Sequence, residues 1–334
     1  MLYLDFTLKE HFLKSFVVFL FLSIPFLINA QATLPVYSDY LSDNVFLVHP
    51  AAAGIGNCGK IRFTARNQWS GIEDAPSMQT LTAHQRFGRN VGLGLVLFND
   101  KNGYNSQQGI EGVFAYHIDL IDPEIPNQLS FAIGFSGIFN KLDESAFDPT
   151  DPIISGIVQS GNYFNSDVSI GYHYEGLFSY LTVKNLIANG KYTNIYGDEE
   201  NLNLRRYLLS VGYYFGEGND FQFEPLIMAQ AIEFTGEKFV DLNIKAYKSI
   251  QNGQIWAALS YRQGFDGVVD GQELQYFTPI IGINYKSFMF AYTYTKQMGD
   301  ILFDDAGYNQ ISLGYNFGCR TPRRSGCPNI NYAF

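Results

Sequence analysis

The sequence predicts an all-β fold, a transmembrane antiparallel β-barrel of about fourteen strands. Segments of roughly ten residues alternate large apolar side chains with small or polar ones, which is the period-two pattern of a strand with one apolar face. After residue 30 no apolar run is long enough for a membrane-spanning helix. The composition is rich in aromatic residues, with 23 Tyr and 29 Phe, which suit strands and the aromatic girdles at membrane surfaces.

Residues 1–30 are predicted to be a secretory signal peptide. Lys9 and Lys14 flank the start of the apolar run 16–28, and a small residue, Ala30, follows it. The run is too short to cross a bilayer as a helix, but it suits the apolar region of a signal peptide. Pro25 argues against the alternative of a buried N-terminal helix. We therefore expect an exported chain that is cleaved after residue 30.

Residues 31–57 are predicted to form an N-terminal segment that lies under the barrel or plugs it. This segment has no period-two alternation, and Pro35, Pro50 and several Gly and Ala residues interrupt it. We expect one short helix near Tyr40 to Val48.

Residues 58–318 are predicted to form the barrel. The expected strands are Lys60–Trp69, Met78–Phe87, Val91–Asn99, Gln108–Leu120, Gln128–Asn140, Tyr163–Tyr174, Leu177–Asn185, Asn203–Phe215, Phe221–Ala231, Lys238–Lys248, Gly253–Arg262, Leu274–Tyr285, Ser287–Gln297 and Gly307–Phe317. A soluble β-sandwich would also alternate, but its outer faces would carry more Lys and Glu. These strands are poor in charge, which favours lipid outside and a crowded polar lumen inside.

The connections between the predicted strands also indicate a barrel, because exported barrels alternate short periplasmic turns with longer external loops. The short set is Gly88–Asn90, Glu175–Gly176, Gly216–Asp220 and Lys286, and the long set is Asp100–Gln107, Lys141–Asn162, Leu186–Leu202, Gln263–Glu273 and Met298–Ala306. Two connections depart from this order, since 121–127 is long and 232–237 is short. The pattern puts both ends of the barrel in the periplasm.

The last predicted strand and the residues after it suggest two further roles. Its ending, Gly314-Tyr315-x-Phe317, resembles the terminal-strand signal that outer-membrane barrels show to the barrel assembly machinery. Residues 319–334 form a short periplasmic C-terminal tail with Arg320 and two further arginines. A basic tail is suited to docking a partner, and a solvated tail is the alternative.

Three cysteines, Cys58, Cys319 and Cys327, lie at the two ends of the predicted barrel. An exported protein meets an oxidising compartment, so a disulfide is expected. Cys58 precedes the first strand and Cys319 follows the last, and these strands are neighbours in a closed barrel. A bond from Cys58 to Cys319 or Cys327 would therefore close the seam. A local Cys319–Cys327 loop is the competing pairing.

The sequence offers no candidate for catalysis or for a cofactor. The histidines His49, His84, His117 and His173 lack metal-ligand spacing, so structural or lumen-facing roles are expected. Acidic residues cluster in predicted outer loops, where a solvated surface or a weak divalent-cation site would suit them. The formal net charge of −10 argues against a nucleic-acid partner. We therefore expect a protein that is not an enzyme.

Residues 66–80 carry a family resemblance. The chain has Arg66-Asn67-Gln68-Trp69-Ser70-Gly71 followed by Ala75-Pro76-Ser77-Met78-Gln79-Thr80, and it thereby resembles the PorP/SprF family of the type IX secretion system of Bacteroidota. The N-terminal stretch around Tyr37-Ser38 and Pro50-Ala51, the strand from Val91 and the closing strand also fit the family. One departure is His49, where the family commonly has Asn.

The Arg66–Pro76 stretch suits the junction between the first strand and the first outer loop. Trp69 suits the membrane interface, and Gly71, Ala75 and Pro76 suit a compact loop. We expect Arg66 and Gln68 to face the lumen and hold the plug or the loop, while Asn67 and Trp69 face away. Residues that only fold the loop are the alternative.

The resemblance implies a function for the barrel. It implies a non-enzymatic outer-membrane component, surrounded by lipid, that acts with other type IX secretion components. Such a protein would assist export or surface anchoring of a specific secreted surface protein, for example an adhesin used in gliding motility. The alternative function is a passive outer-membrane channel or a transporter of hydrophobic ligands.

Overall fold

The computed structural model describes residues 44–68, 75–120, 127–143, 158–187, 191–193, 199–201, 204–216, 219–233, 236–265, 274–298 and 307–320. The predicted signal peptide and most of the predicted tail lie outside this part of the chain. The described part contains one short helix, α1 (Val45–Val48), and one 3-10 turn, Pro50–Ala52.

The strands are β1 (Gly59–Gln68), β2 (Ser77–Phe87), β3 (Val91–Asn102), β4 (Asn105–Asp119), β5 (Asn127–Asp143), β6 (Val158–Tyr174), β7 (Leu177–Lys184), β8 (Lys191–Thr193), β9 (Glu199–Asn201), β10 (Arg206–Tyr213), β11 (Phe221–Ile232), β12 (Lys238–Ile250), β13 (Gly253–Gly264), β14 (Gln275–Tyr285), β15 (Phe288–Met298) and β16 (Tyr308–Phe317).

Fourteen of these strands close into one antiparallel barrel, which confirms the predicted fold class and strand number. Each barrel strand pairs with its neighbour in the chain, and β7 pairs with β10 because β8 and β9 form a separate hairpin between them. The first and last strands close the seam, with Gly59 opposite Phe317 and Gln68 opposite Tyr308. Closure pairs every strand on both sides, so the sheet presents no open edge to lipid.

The alternation along β1 shows how the sequence sorts side chains between lumen and lipid. Lys60 and Arg62 face inward and are only 3% and 1% exposed, whereas Ile61 and Phe63 face outward and are 37% and 39% exposed. The same arrangement recurs on the other barrel strands, whose outward faces carry large aliphatic and aromatic residues. The barrel therefore has the apolar outer band and polar interior of a membrane barrel.

Three connections differ from their predictions. Strands β5 and β6 extend into the predicted loop 141–162, and the predicted loop 186–202 contains the β8–β9 hairpin. The connection between β3 and β4 differs most. The prediction of a loop over residues 100–107 is wrong. Strand β3 continues to Asn102 and β4 begins at Asn105, which leaves Gly103 and Tyr104 as a two-residue turn. Gly103 has φ +58°, which suits such a turn. The polar residues that indicated a loop instead pair across the strands, for example through the Gln108 Nε2 hydrogen bond to Asn99 Oδ1 at 3.1 Å.

The opposite end of the barrel has the tight turns expected for the periplasmic side. Glu175, Asn252 and Lys286 have φ values of 48°, 63° and 52°, which is the conformation that two-residue hairpin turns require. The ends of β1 and β16 that carry Gly59 and Phe317 lie at this same end. Among the described residues, no helix is long and apolar enough to cross a membrane.

The segment before β1 lies inside the barrel. We define the plug as residues 44–57, which include α1 and the 3-10 turn. The sequence predicted a helix near Tyr40 to Val48, and the described part of it is helical from Val45. The plug's main chain rises from the periplasmic end, where Gly54 contacts His84 of β2, to Asn44, which contacts Thr82 further along β2.

Candidate functional site

The plug is packed as tightly as a protein core. Phe46, Val48 and Ala51 are 2%, 0% and 0% exposed. They belong to one buried apolar cluster that also contains Trp256 of β13 and Met289 of β15, on the part of the wall made by the later strands. The cluster therefore runs from the plug to later strands of the barrel wall, and the plug occupies part of the interior at this level.

His49 joins the plug to the wall of β7 and β10. Its Nδ1 lies 2.7 Å from Thr182 Oγ1 and its Nε2 lies 2.7 Å from Ser210 Oγ, so both ring nitrogens are satisfied. The ring also stacks on Tyr180 with centroids 4.9 Å apart. Burial, followed by the positive charge of Lys184, lowers the pKa of His49 to about 3. The imidazole is therefore neutral, with one nitrogen donating and the other accepting.

Lys184 holds the plug from the end of β7. Its ammonium donates to the carbonyl of Leu47 at 3.2 Å and forms an ion pair with Asp167 of β6 at 3.2 Å. The other oxygen of Asp167 accepts the backbone N–H of Asn185 at 2.9 Å. Both charged side chains are almost fully buried, so each depends on the other for compensation.

Two histidines hold the later part of the plug. His117 Nε2 donates to the carbonyl of Ala53 at 2.9 Å, while its Nδ1 lies 2.8 Å from Ser130 Oγ. The N–H of Gly54 donates to His84 Nδ1 at 3.0 Å. These contacts fix the backbone of the plug where it leaves the 3-10 turn.

Two glycines of β3 make room for the plug. A Cβ on Gly92 would overlap the carbonyl of Ala53, and a Cβ on Gly94 would overlap the ring of Phe46. Both positions face the lumen, where any side chain would displace the plug. The alternation of glycine with leucine in this strand therefore reflects the packing of the plug against β3.

A disulfide joins Cys58 to Cys319 across the periplasmic end of the seam. This is one of the pairings that the sequence left open, and Cys327 lies outside the described residues. Arg320 reinforces the junction, because its N–H donates to the Asn57 carbonyl at 2.9 Å. Its guanidinium donates to the carbonyls of Gly88 and Arg86 at 2.6 and 2.7 Å. The end of the plug is thus tied to both edges of the seam.

The residues of the family-like stretch lie at the other end of β1. Arg66 faces the lumen and is 8% exposed, Gln68 is half-buried on the same face, and Asn67 is exposed. The N–H of Gln68 donates to the carbonyl of Pro76 at 2.9 Å, which closes the base of the loop, and Ala75 is half-buried beside it. Trp69 and Gly71 lie outside the described residues. The role of this stretch in holding a partner, the plug or the loop stays a prediction.

The last strand contributes to the seam as well. Gly314 faces the lumen against the side chain of Arg62, whose Nη2 donates to Asn316 Oδ1 at 2.9 Å. Tyr315 points toward lipid, and the ring of Phe317 packs over Gly59. The proposed use of Gly314, Tyr315 and Phe317 as an assembly signal stays a prediction.

Sequence reasoning missed the residues that hold the plug in place, especially Lys184, Asp167, Thr182 and Ser210. A signal for two of them was present, because Lys184 and Asp167 are charged residues within otherwise uncharged strands. Such residues are expensive in a membrane protein and commonly face its interior in pairs. Among the described residues, no group of three or more His, Cys, Asp or Glu side chains is arranged to hold a metal ion.

Comparisons with known proteins found a matching family and solved structures of similar proteins. The family described as "Type IX secretion system membrane protein PorP/SprF" matches residues 29–315. A comparison with curated proteins found no match. Among solved structures, Omp33 of Acinetobacter baumannii is 7% identical with a TM-score of 0.41, covering 79% of this chain and 100% of its own. The TodX monoaromatic hydrocarbon channel is 9% identical with a TM-score of 0.49, covering 82% and 94%.

Proposed function

The chain belongs to the PorP/SprF family of type IX secretion system membrane proteins, and we propose that it assists the export or surface anchoring of a specific cargo without acting as an enzyme. It is an outer-membrane β-barrel. The proposed cargo is a secreted surface protein such as a gliding adhesin. The proposed role is that of a scaffold that binds this cargo at the outer rim and secretion components at the periplasmic end.

The packing of the plug is the observation that carries this proposal. The plug and the barrel wall share one buried apolar cluster, and polar contacts hold the plug on several strands. A passive channel for solutes needs an open path, whereas a scaffold has no need of one. A plug packed inside the barrel therefore supports a binding role over the alternative of a passive channel or a transporter of hydrophobic ligands.

The two ends of the barrel suit two different partners. The long connections, such as residues 144–157 and 266–273, leave the barrel at the outer rim, and external loops are where specificity for a cargo is expected. The periplasmic end carries the tail, which the Cys58–Cys319 disulfide and Arg320 fix to the barrel. Arg323 and Arg324, which follow in the sequence, add positive charge to the tail.

The proposal is tested by crosslinking the tagged, full-length barrel in native outer membranes and identifying the proteins captured with it. We expect both a type IX secretion component and one dominant surface protein. Removing residues 144–157 should reduce capture of the surface protein and retain the secretion component. Removing residues 321–334 should have the opposite effect. Capture of neither class by the intact barrel would contradict the proposal.

A further inference from the structure

The outer face of the barrel carries an apolar groove at the seam. Its volume is about 440 Å³, within the roughly 300–1,000 Å³ range of small-molecule sites. The groove crosses four neighbouring strands, β14, β15, β16 and β1. Its lining residues include Phe63, Ile283, Tyr285, Phe288, Leu313 and Tyr315. All six side chains point away from the lumen, and their exposed fractions lie between 36% and 65%.

The floor of the groove lies between β15 and β16. Met289 and Gly314 face each other across this pair of strands, and both contribute to the lining although both point inward. Because both residues face inward, the backbone between them forms the floor of the groove on the outer surface. The large side chains of Phe288 and Leu313 stand on either side, so the groove has walls that a flat lipid-facing surface lacks.

An exposed lysine on a backbone-fixed turn stands at the periplasmic end of the groove. Lys286 forms the tight turn between β14 and β15, and its Nζ lies 5.6 Å from the ring centroid of Tyr285, which lines the groove. The N–H of Lys286 donates to the Asn252 carbonyl at 2.8 Å, and the carbonyl of Ser287 accepts the N–H of Asn316 at 2.7 Å. The turn is therefore held by the neighbouring strands on both sides.

We propose that this groove binds one acyl chain of a phospholipid from the periplasmic leaflet, with the lipid phosphate against the ammonium of Lys286. The apolar lining matches an acyl chain, and the cation stands at the level of the short turns, where the head groups of that leaflet lie. A phosphate and a lysine are complementary in charge. A second protein copy would need about 800 Å² of surface per partner and gains nothing specific from this cation.

The chain offers matched controls for both halves of the site. Lys248 is another exposed lysine at the periplasmic end, and it lies 5.4 Å from the ring of Phe221, away from the groove. Ile227 of β11 is 54% exposed on a different part of the lipid-facing surface. Lys286→Gln and Leu313→Trp test the cation and the groove, whereas Lys248→Gln and Ile227→Trp make the same changes elsewhere.

The test is native mass spectrometry of the full-length barrel in detergent, titrated with phosphatidylglycerol. We expect the wild-type barrel to retain one lipid per molecule at low lipid concentration. Lys286→Gln should weaken this binding about fivefold, and Leu313→Trp should abolish it. The two control variants should bind as the wild type does. Diacylglycerol, which has no phosphate, should bind more weakly and be insensitive to Lys286→Gln.

Folding of each variant is checked by its heat-dependent migration in detergent gels, and Ile283→Trp replaces Leu313→Trp if that variant fails to fold. Equal lipid retention by groove and control variants would overturn the proposal, because it would show only general lipid contact. A wild-type dimer that Leu313→Trp converts to a monomer would also overturn it, because the groove would then be an interface between two copies.

Discussion

His49 Nε2 and Ser210 Oγ lie 2.7 Å apart, although 161 positions separate the two residues in the chain. The bond joins the plug to β10, and the second ring nitrogen bonds Thr182 of β7 at 2.7 Å. A neutral imidazole donates to one hydroxyl and accepts from the other. An imidazolium has no accepting nitrogen and would place a second positive charge beside Lys184. The contact of the plug with β7 and β10 therefore depends on the protonation state of His49.

Acid should loosen the plug. The pKa of His49 is lowered to about 3 in the folded barrel by burial and then by Lys184, from an ordinary value of 6.5. Between pH 3 and pH 6.5, His49 takes up a proton when the plug is released from the barrel wall, but it stays neutral when the plug is packed in place. The free energy that holds the plug in place is therefore at its full value above pH 6.5. It falls by about 1.4 kcal/mol per pH unit as the pH drops toward 3. Deuterium exchange of the peptide covering residues 44–57 measures this change.

His49→Asn is the control for this pH dependence, because an amide keeps hydrogen-bonding capacity and does not titrate in this range. The difference in exchange between wild type and His49→Asn should grow as the pH falls below 6.5. A difference that is constant with pH would contradict the assigned role of the imidazole.

Removing Lys184 should destabilise the barrel strongly. Lys184→Met leaves the carboxylate of Asp167 buried without its cation, which costs about 3–5 kcal/mol. Adding Asp167→Asn should recover part of this loss, because the Asp167 carboxylate is then removed, while Glu111, which also interacts with Lys184, stays buried. The midpoint of heat-induced unfolding, followed by gel migration, measures both effects.

The control is Arg89→Gln, which breaks the more exposed ion pair between Arg89 and Asp119. Its midpoint should stay close to that of the wild type. An equally small effect of Lys184→Met would show that the Asp167–Lys184 pair does not support the plug.

A side chain at Gly94 should displace the plug. Gly94→Val places carbon atoms where the ring of Phe46 lies, so we expect faster deuterium exchange in residues 44–57 while the barrel strands keep their protection. The matched control is Gly112→Val in β4, where an added Cβ meets no atom within 4 Å. Equal exchange in the two variants would contradict the packing described here.

Breaking the seam disulfide should lower stability. Cys58→Ser removes the bond to Cys319, and loss of a native disulfide typically costs about 2–5 kcal/mol. We expect a lower unfolding midpoint on gels without reductant, and the same midpoint as the wild type when a reductant opens the wild-type bond. Cys327→Ser should leave the midpoint unchanged. A larger effect of Cys327→Ser than of Cys58→Ser would contradict the pairing.

The barrel itself was predictable because its signals are local. Alternation along strands such as β5 and β16 fixes which residues face lipid, and the short turns at Glu175 and Lys286 follow directly from the sequence. The outer turn at Gly103 was missed because polar residues at strand ends look like a loop. Their pairing depends on the neighbouring strand rather than on their own composition.

The contacts that hold the plug against the barrel wall were not predictable from local patterns. His49, Thr182 and Ser210 come from three distant parts of the chain, and a single neutral histidine gives no motif. Gly92 and Gly94 lie within a predicted strand, where nothing in the local sequence indicates a partner. Their packing against Ala53 and Phe46 depends on the path of a segment that has no periodicity of its own.

The central claim, that this barrel is a plugged scaffold and not an open channel, is tested most directly by the conductance of the purified full-length barrel in a planar lipid bilayer. We predict no steady ion conductance for the wild type and for Gly112→Val, and the appearance of conducting states in Gly94→Val, where the plug is displaced. Steady, solute-dependent conductance of the wild-type barrel, equal to that of Gly94→Val, would contradict the account.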